Sequence, residues 1–114
     1  MTHERQVLGK AGEDTAAAEL ERLGYAILER RYRTRYGEID IVARERETLV
    51  FVEVKARAGG ESGTAAEAIT PQKMRKVVLM ATDYLARHAL TEVECRFDVV
   101  AIDGGVLTLI RDAF

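Results

Sequence analysis

Four charged side chains interrupt two otherwise apolar segments near the middle of the sequence. The segment "GEIDIVA" carries Glu38 and Asp40, and the segment "LVFVEVKA" carries Glu53 and Lys55. Because side chains alternate between the two faces of a strand, Glu53 and Lys55 share a face with Phe51, and the intervening residues form an apolar face. Carboxylates beside a lysine are groups that can bind a hard divalent cation together with a phosphate.

The turn between these two segments determines which residues face each other. A hairpin loop centred on the Arg46–Glu47 bond places Asp40 opposite Glu53, and it places Glu38 opposite Lys55. Glu38 is then either an outer-shell ligand of the site or the ion-pair partner of Lys55, and we favour the ion pair. Like charges directly opposite each other destabilise a sheet, so the two acids need a shared proton or a cation. The pattern therefore predicts a site for a metal ion and a phosphate. The alternative is an exposed sheet face with a cross-strand ion pair.

A third acid, Glu13, lies in a segment with helical periodicity. It shares a helix face with the apolar residues Ala16, Ala17 and Leu20. A carboxylate on a packing face is costly unless it has a partner, so we expect Glu13 to converge on the other acids. The alternative is a residue at the partly exposed rim of the helix.

The elements that position these residues follow from periodicity and turn signals. The predicted order is a helix over 4–23, a basic strand over 25–36, the two central strands, a glycine-rich loop over 58–70, a helix opened by Thr70 and Pro71, and strands over 94–102 and 106–110. In the first central strand, alternation predicts that Ile39 and Ile41 share the apolar face. The pattern indicates one α/β domain over residues 1–114.

Composition limits the classes of function. The chain has 114 residues, 47% of them hydrophobic and 32% charged, with a net charge of -2, so any nucleic-acid contact requires a local basic patch. Cys95 is the single cysteine, and no segment has the apolar length of a signal peptide or membrane span. These features predict a cytoplasmic protein with no membrane partner.

A local basic patch is present in the segment "ERRYRTRY". Alternation places Arg31, Arg33 and Arg35 on one strand face, with Tyr32 and Tyr36 on the other. We call the three arginines the basic stripe. It is suited to contact phosphates, and it is equally suited to protect an edge strand from aggregation.

Four segments taken together resemble the YraN family of small bacterial proteins over nearly the whole chain. They are "AGEDTAAAELERLGY", "RTRYGEIDIVAR", "FVEVKAR" and "CRFDVVAI". That family in turn resembles the PD-(D/E)XK nucleases, especially the archaeal Holliday-junction resolvases. The resemblance implies a restriction-endonuclease-like fold, an αβββαβ core with a mixed β-sheet flanked by helices.

The resemblance also implies roles for particular residues. Asp40 matches the central aspartate of the nuclease motif, Glu53 and Lys55 match its E-x-K pair, and Glu13 matches the acid of the first helix. Asp40, Glu53, the Val54 carbonyl and Glu13 are then expected to hold Mg²⁺ or Mn²⁺, weakly in the absence of substrate. Lys55 is expected to orient the attacking water.

Gln72 and Lys73, at the start of the second helix, resemble positions that grip the nucleic-acid backbone in related nucleases. The implied function is a metal-dependent nuclease acting on DNA, with a preference for branched or single-strand-containing substrates that a homodimer could span. The alternative is a module on the same fold that binds nucleic acid or a partner without catalysis.

Overall fold

A computed structural model describes residues 3–59 and 63–114, with side chains described from residue 9 onward. The elements in chain order are α1 (His3–Arg22), β1 (Ala26–Thr34), β2 (Gly37–Glu45), β3 (Thr48–Arg57), a short 3-10 helix (Ala66–Ala68), α2 (Pro71–Arg87), β4 (Cys95–Asp103) and β5 (Val106–Ile110). This order contains the predicted αβββαβ core followed by a fifth strand.

The five strands form one mixed sheet in the order β1-β2-β3-β4-β5. Among the strand pairs of the described residues, only β3–β4 is parallel, because the chain crosses from β3 to β4 through α2. The predicted mixed sheet flanked by helices is confirmed. Neither helix, over the described residues, has the length and apolar character needed to cross a membrane.

The sheet is buried on both faces by one helix each. On the α1 side, Leu20 packs with Val50 and Val52 of β3. On the α2 side, Phe51 packs with Met80 and Tyr84. Side chains of β3 thus alternate between the two cores as the sequence predicts, and this alternation sets the direction of the charged residues that follow in the same strand.

The helix ends match their sequence signals. The Thr70 side chain accepts a hydrogen bond of 3.2 Å from the Lys73 backbone N–H, and Pro71 is the first residue of α2. Gly24 follows α1 with φ +98°, a conformation that glycine adopts without a steric penalty. Both boundaries confirm the sequence predictions.

Helix α1 lies unusually close to β3 at Gly12. A Cβ atom added to Gly12 would lie 2.8 Å from Cβ of Ala56, nearer than two carbon atoms can approach. The absence of a side chain at Gly12 therefore lets the helix rest directly on the strand. The next residue, Glu13, is only 7% exposed as a result of this packing.

The prediction that Ile39 and Ile41 share a face is wrong. Ile41 packs on the α1 side, whereas Ile39 packs on the α2 side. The strands pair Arg30 with Ile41 and Tyr32 with Ile39. Arg31 between these pairs has φ +53°, which is uncommon for a residue with a side chain. This left-handed residue interrupts the alternation of faces at the level of the candidate site.

A buried polar cluster surrounds Asp98 of β4, and both carboxylate oxygens of Asp98 accept hydrogen bonds. The buried Asp98 accepts hydrogen bonds from the Tyr25 hydroxyl at 2.8 Å, from Nε of Arg96 at 2.8 Å and from the Asp112 backbone N–H at 3.0 Å. Burial alone would raise the pKa of Asp98, but these donors lower it below its usual value. The cluster fastens the chain segments before β1 and after β5 to β4.

Candidate metal site and nucleic-acid surface

The acidic pair, Asp40 and Glu53, lies where β2 and β3 separate. The paired residues run from Glu45 and Thr48 at the turn to Ile41 and Val52, which is the predicted register. The next step of that register brings Asp40 to Glu53. Beyond it, β2 continues beside β1, and β3 continues beside β4.

The Asp40 carboxylate is held by the main chain of β3. Its Oδ2 atom accepts a hydrogen bond of 2.8 Å from the Val54 backbone N–H. Burial raises the pKa of Asp40, and the negative charges of Glu13 and Glu38 add to this effect. The Val54 hydrogen bond and the positive charge of Lys73 oppose it. Charges on both helices therefore act on this one carboxylate.

Glu53 is more deeply buried than Asp40. The residue is 3% exposed, and its Oε1 atom is buried with no hydrogen-bond partner among the described residues. Its Oε2 atom lies 3.4 Å from Nζ of Lys73. Burial and the neighbouring charge of Asp40 raise the pKa of Glu53 to about 7. The two acids thus share a site where water stabilises their charges poorly.

These properties fit a bound divalent cation. A buried carboxylate oxygen without a partner, next to a second acid, gains a ligand when such a cation binds. The described part of the chain holds no group of three or more His, Cys, Asp or Glu side chains placed to share a metal ion. Asp40 and Glu53 would thus hold a cation through two carboxylates, and Mg²⁺ commonly takes one or two carboxylates together with water and phosphate oxygens.

Glu13 has arginine partners instead of joining the acidic pair. Nε of Arg30 donates to its Oε1 at 3.1 Å, and Nε of Arg31 donates to its Oε2 at 3.2 Å. Arg30 also pairs with Asp14 on the same helix. The expected burial of Glu13 is confirmed, and its charge reaches Asp40, but both of its oxygens are already bonded. Sequence reasoning missed Arg30, although it adjoins Arg31 in a basic strand.

Lys55 lies on the predicted face of β3 but without the predicted partner. Its neighbours Val54 and Ala56 pack on the α1 side, so Lys55 lies on the opposite face, where it is exposed. No hydrogen bond or ion pair engages the Lys55 side chain within the described residues. The predicted Glu38–Lys55 pair is wrong, because Arg33 faces Glu38 directly in the β1–β2 ladder and its Nη2 lies 3.5 Å from Oε2 of Glu38.

The basic stripe is shorter than predicted. Strand β1 ends at Thr34, so Arg35 lies in the following turn, where its guanidinium is 5.0 Å from the centre of the Tyr36 ring. Arg31 bonds Glu13, and Arg33, whose side chain is 83% exposed, pairs with Glu38. All three arginines are exposed, but each has a different neighbour.

The first turn of α2 brings one further cation to the site. Gln72 and Lys73 are both exposed there, and Lys73 reaches Glu53. Sequence reasoning assigned Lys73 only to the nucleic-acid backbone and missed this ion pair. The sequence did contain a usable signal. Thr70 and Pro71 fix the start of a helix that follows the strand carrying Glu53. When a helix connects two parallel strands, it begins near the end of the first strand, which here is the strand of Glu53.

The family model described as "Uncharacterised protein family UPF0102" matches residues 12–102, which include Glu13, Asp40, Glu53, Lys55 and Lys73. The chain belongs to the UPF0102 family. This is the YraN-like family that the sequence motifs resemble.

Relatives in the UPF0102 family align over most of their length. The UPF0102 protein of Desulforapulum autotrophicum is 48% identical over 118 aligned positions, which cover 100% of this chain and 98% of the relative. The protein of Geobacter sulfurreducens is 50% identical and covers 89% of this chain and 79% of its own length. The protein of Anaeromyxobacter dehalogenans is also 50% identical, and the alignment covers 89% of this chain and 75% of the relative. The names of these UPF0102 relatives state no activity.

Proposed function

We propose that this protein is a metal-dependent nuclease that hydrolyses phosphodiester bonds in DNA. The observation that carries the proposal is the buried, unpartnered Oε1 atom of Glu53 beside Asp40. Two adjacent acids, of which Glu53 is buried and Asp40 is partly buried, are costly to a fold that uses them only for structure. Their cost is offset when a divalent cation and a phosphate complete the site.

Each residue of the site has a distinct role in this proposal. Asp40, Glu53 and the Val54 carbonyl hold Mg²⁺ or Mn²⁺. Glu13 does not bind the cation directly, but its negative charge acts on Asp40. When bound, the cation polarises a phosphoryl oxygen and lowers the pKa of a coordinated water. Lys55, exposed on the face that carries Glu53, orients the attacking water and stabilises the charge that develops on the phosphate.

The surface around the acidic pair supplies the contacts to nucleic acid. Arg31, Arg33 and Arg35 extend along β1 and the turn after it, and Gln72 and Lys73 begin α2, whose N-terminus favours phosphate. With a net charge of -2, the protein should bind plain duplex weakly. We therefore propose that the protein prefers branched or single-strand-containing DNA. We further propose that it binds this DNA as a homodimer and that it acts in the cytoplasm.

One observation favours a second candidate function. Glu13, the third acid implied by the nuclease resemblance, is bonded through both oxygens to Arg30 and Arg31. A site limited to two acids would suit a module that binds nucleic acid without cleaving it. The two candidates differ in whether any phosphodiester bond is broken.

A cleavage screen separates these functions. Four-way junctions, flaps, single strands and duplexes are incubated with the protein and Mg²⁺ or Mn²⁺, and binding is measured in parallel. The nuclease proposal expects cleavage that Glu53→Gln and Lys55→Ala abolish, with binding retained by Lys55→Ala. Lys76→Ala, an exposed change on α2, is the matched control and should cleave normally. Binding without cleavage on every substrate would favour the binding module.

A further inference from the structure

The ion pair between Lys73 and Glu53 places a positive charge where the acidic pair needs one. Nζ of Lys73 lies 3.4 Å from Oε2 of Glu53, and the positive charge of Lys73 also acts on Asp40. The described residues offer no other cation that pairs with either acid. One ammonium group therefore serves both carboxylates.

The contact is long, and the Lys73 side chain is about half exposed to solvent. A distance of 3.4 Å exceeds the usual 2.7–3.2 Å of a direct hydrogen bond, and the Lys73 side chain is 47% exposed. Its backbone, by contrast, is fixed, because the Lys73 N–H donates to the Thr70 side chain at the start of α2. A flexible four-carbon side chain on a fixed backbone can turn from the acids to a neighbouring anion without any change in the helix.

We propose that Lys73 is a displaceable cation at the metal site. In the free protein its ammonium group balances Asp40 and Glu53. When a divalent cation binds the acids, the ammonium group moves to a phosphate of the bound nucleic acid. This inference rests on the proposed function, since it requires the acidic pair to bind a metal ion. It gives Lys73 a positioning role distinct from that of Lys55, which contacts neither acid.

As a consequence, the binding of the metal ion and the binding of nucleic acid are coupled. In the absence of nucleic acid, a divalent cation must displace the lysine from Glu53. Once a phosphate is present, the displaced ammonium has a new partner, so each ligand promotes the binding of the other. Weak metal binding by the free protein then has a specific cause in Lys73, in addition to the small number of carboxylates.

The test measures Mn²⁺ affinity by titration of the whole chain, with and without a four-way junction whose linkages resist cleavage. Lys73→Gln removes the charge, and Lys76→Gln removes a charge one turn along the same helix as the control. Without DNA, Lys73→Gln should bind Mn²⁺ about fivefold more tightly than wild type. Lys76→Gln should stay within about twofold. The junction should increase the Mn²⁺ affinity of wild type more than that of Lys73→Gln.

Other results overturn the proposal in distinguishable ways. If Lys73→Gln and wild type bind Mn²⁺ equally while Glu53→Gln loses binding, the metal site stands and the displaceable lysine is wrong. If the junction increased the Mn²⁺ affinity of wild type and Lys73→Gln equally, the proposed movement of the Lys73 ammonium group to a phosphate would be wrong. If neither wild type nor Lys73→Gln binds Mn²⁺ with or without the junction, the metal site itself is wrong, and the inference fails with it.

Discussion

Oδ2 of Asp40 accepts a hydrogen bond of 2.8 Å from the backbone N–H of Val54, just beyond the last paired residues of β2 and β3, which are Ile41 and Val52. A side chain thus takes the place of a main-chain acceptor at the point where the two strands separate. The same carboxylate faces the buried Glu53, so Asp40 has a structural and an electrostatic role together. These two roles can be separated by substitution.

Replacing Asp40 with alanine or with asparagine should give different stabilities. Asp40→Ala leaves the Val54 N–H without its acceptor, which should lower the free energy of unfolding by about 1–3 kcal/mol. Asp40→Asn keeps an oxygen acceptor and removes the repulsion of Glu53, so its stability should equal or exceed that of wild type. Urea unfolding without metal measures both. Equal losses in the two variants would show that the charge, and not the hydrogen bond, stabilises the strands.

Stability should decrease as the pH rises through the raised pKa of Glu53. The folded pKa of about 7 exceeds the ordinary 4.5, so the folded state binds the proton more tightly than the unfolded state does. The stabilisation is complete below pH 4.5 and is lost as the pH rises through 7. Glu53→Gln should therefore be more stable than wild type by about 3 kcal/mol at pH 8, with little difference at pH 4.

Thermal or urea unfolding across pH 4–8 without metal measures this effect. The control is Glu47→Gln, which removes an exposed carboxylate from the β2–β3 turn. Its pH dependence should run parallel to that of wild type. A Glu53→Gln curve that also runs parallel to wild type would mean that Glu53 titrates normally in the folded protein.

The exposed arginines of the basic stripe should contribute to nucleic-acid affinity without stabilising the fold. The double variant Arg33→Gln/Arg35→Gln should bind a DNA junction more weakly, and the slope of log K against log salt should fall by about 2, or roughly 0.9 for each lost phosphate contact. Fluorescence anisotropy at several salt concentrations measures this slope. Unfolding should change little, because surface ion pairs such as Arg33–Glu38 contribute about 0–1 kcal/mol.

The control for this experiment is Arg44→Gln/Arg46→Gln, which removes the same charge from exposed positions at the opposite end of the β2–β3 hairpin. It should keep the salt slope of wild type. If both double variants changed the slope equally, DNA would respond to the total charge of the protein and not to the basic stripe. Unchanged binding in Arg33→Gln/Arg35→Gln would leave the stripe as protection for an edge strand.

The close contact of α1 with β3 should make two glycines in the same helix respond oppositely to alanine. Gly12→Ala would bring a Cβ atom to within 2.8 Å of Ala56, which should cost about 1–3 kcal/mol despite the better helix propensity of alanine. Gly9→Ala meets no atom within 4 Å and should stabilise the protein by up to about 1 kcal/mol. Urea unfolding compares them. A stabilising Gly12→Ala would mean that α1 lies farther from β3.

Much of the fold was predictable because its signals are local. Thr70 and Pro71 specify the start of α2, and Gly24 specifies the end of α1, through hydrogen bonds and dihedral angles that involve only nearby residues. The β2–β3 register was equally accessible, because a short turn at Arg46 and Glu47 fixes which residues pair. That register brings Asp40 opposite Glu53.

The sequence by itself therefore determined the two central acids, the order of elements and the face of β3 that carries Glu53. The tertiary structure alone decided which lysine and arginine side chains reach the acidic side chains. Lys73 is 20 residues from Glu53 in the chain, and the pair forms only because α2 begins beside the end of β3. Arg30 and Arg31 are adjacent in β1 and both engage Glu13, and Arg31 has φ +53°, which alternation cannot predict. Ion-pair partners depend on distances between separate elements, and such distances are set by packing across the whole fold.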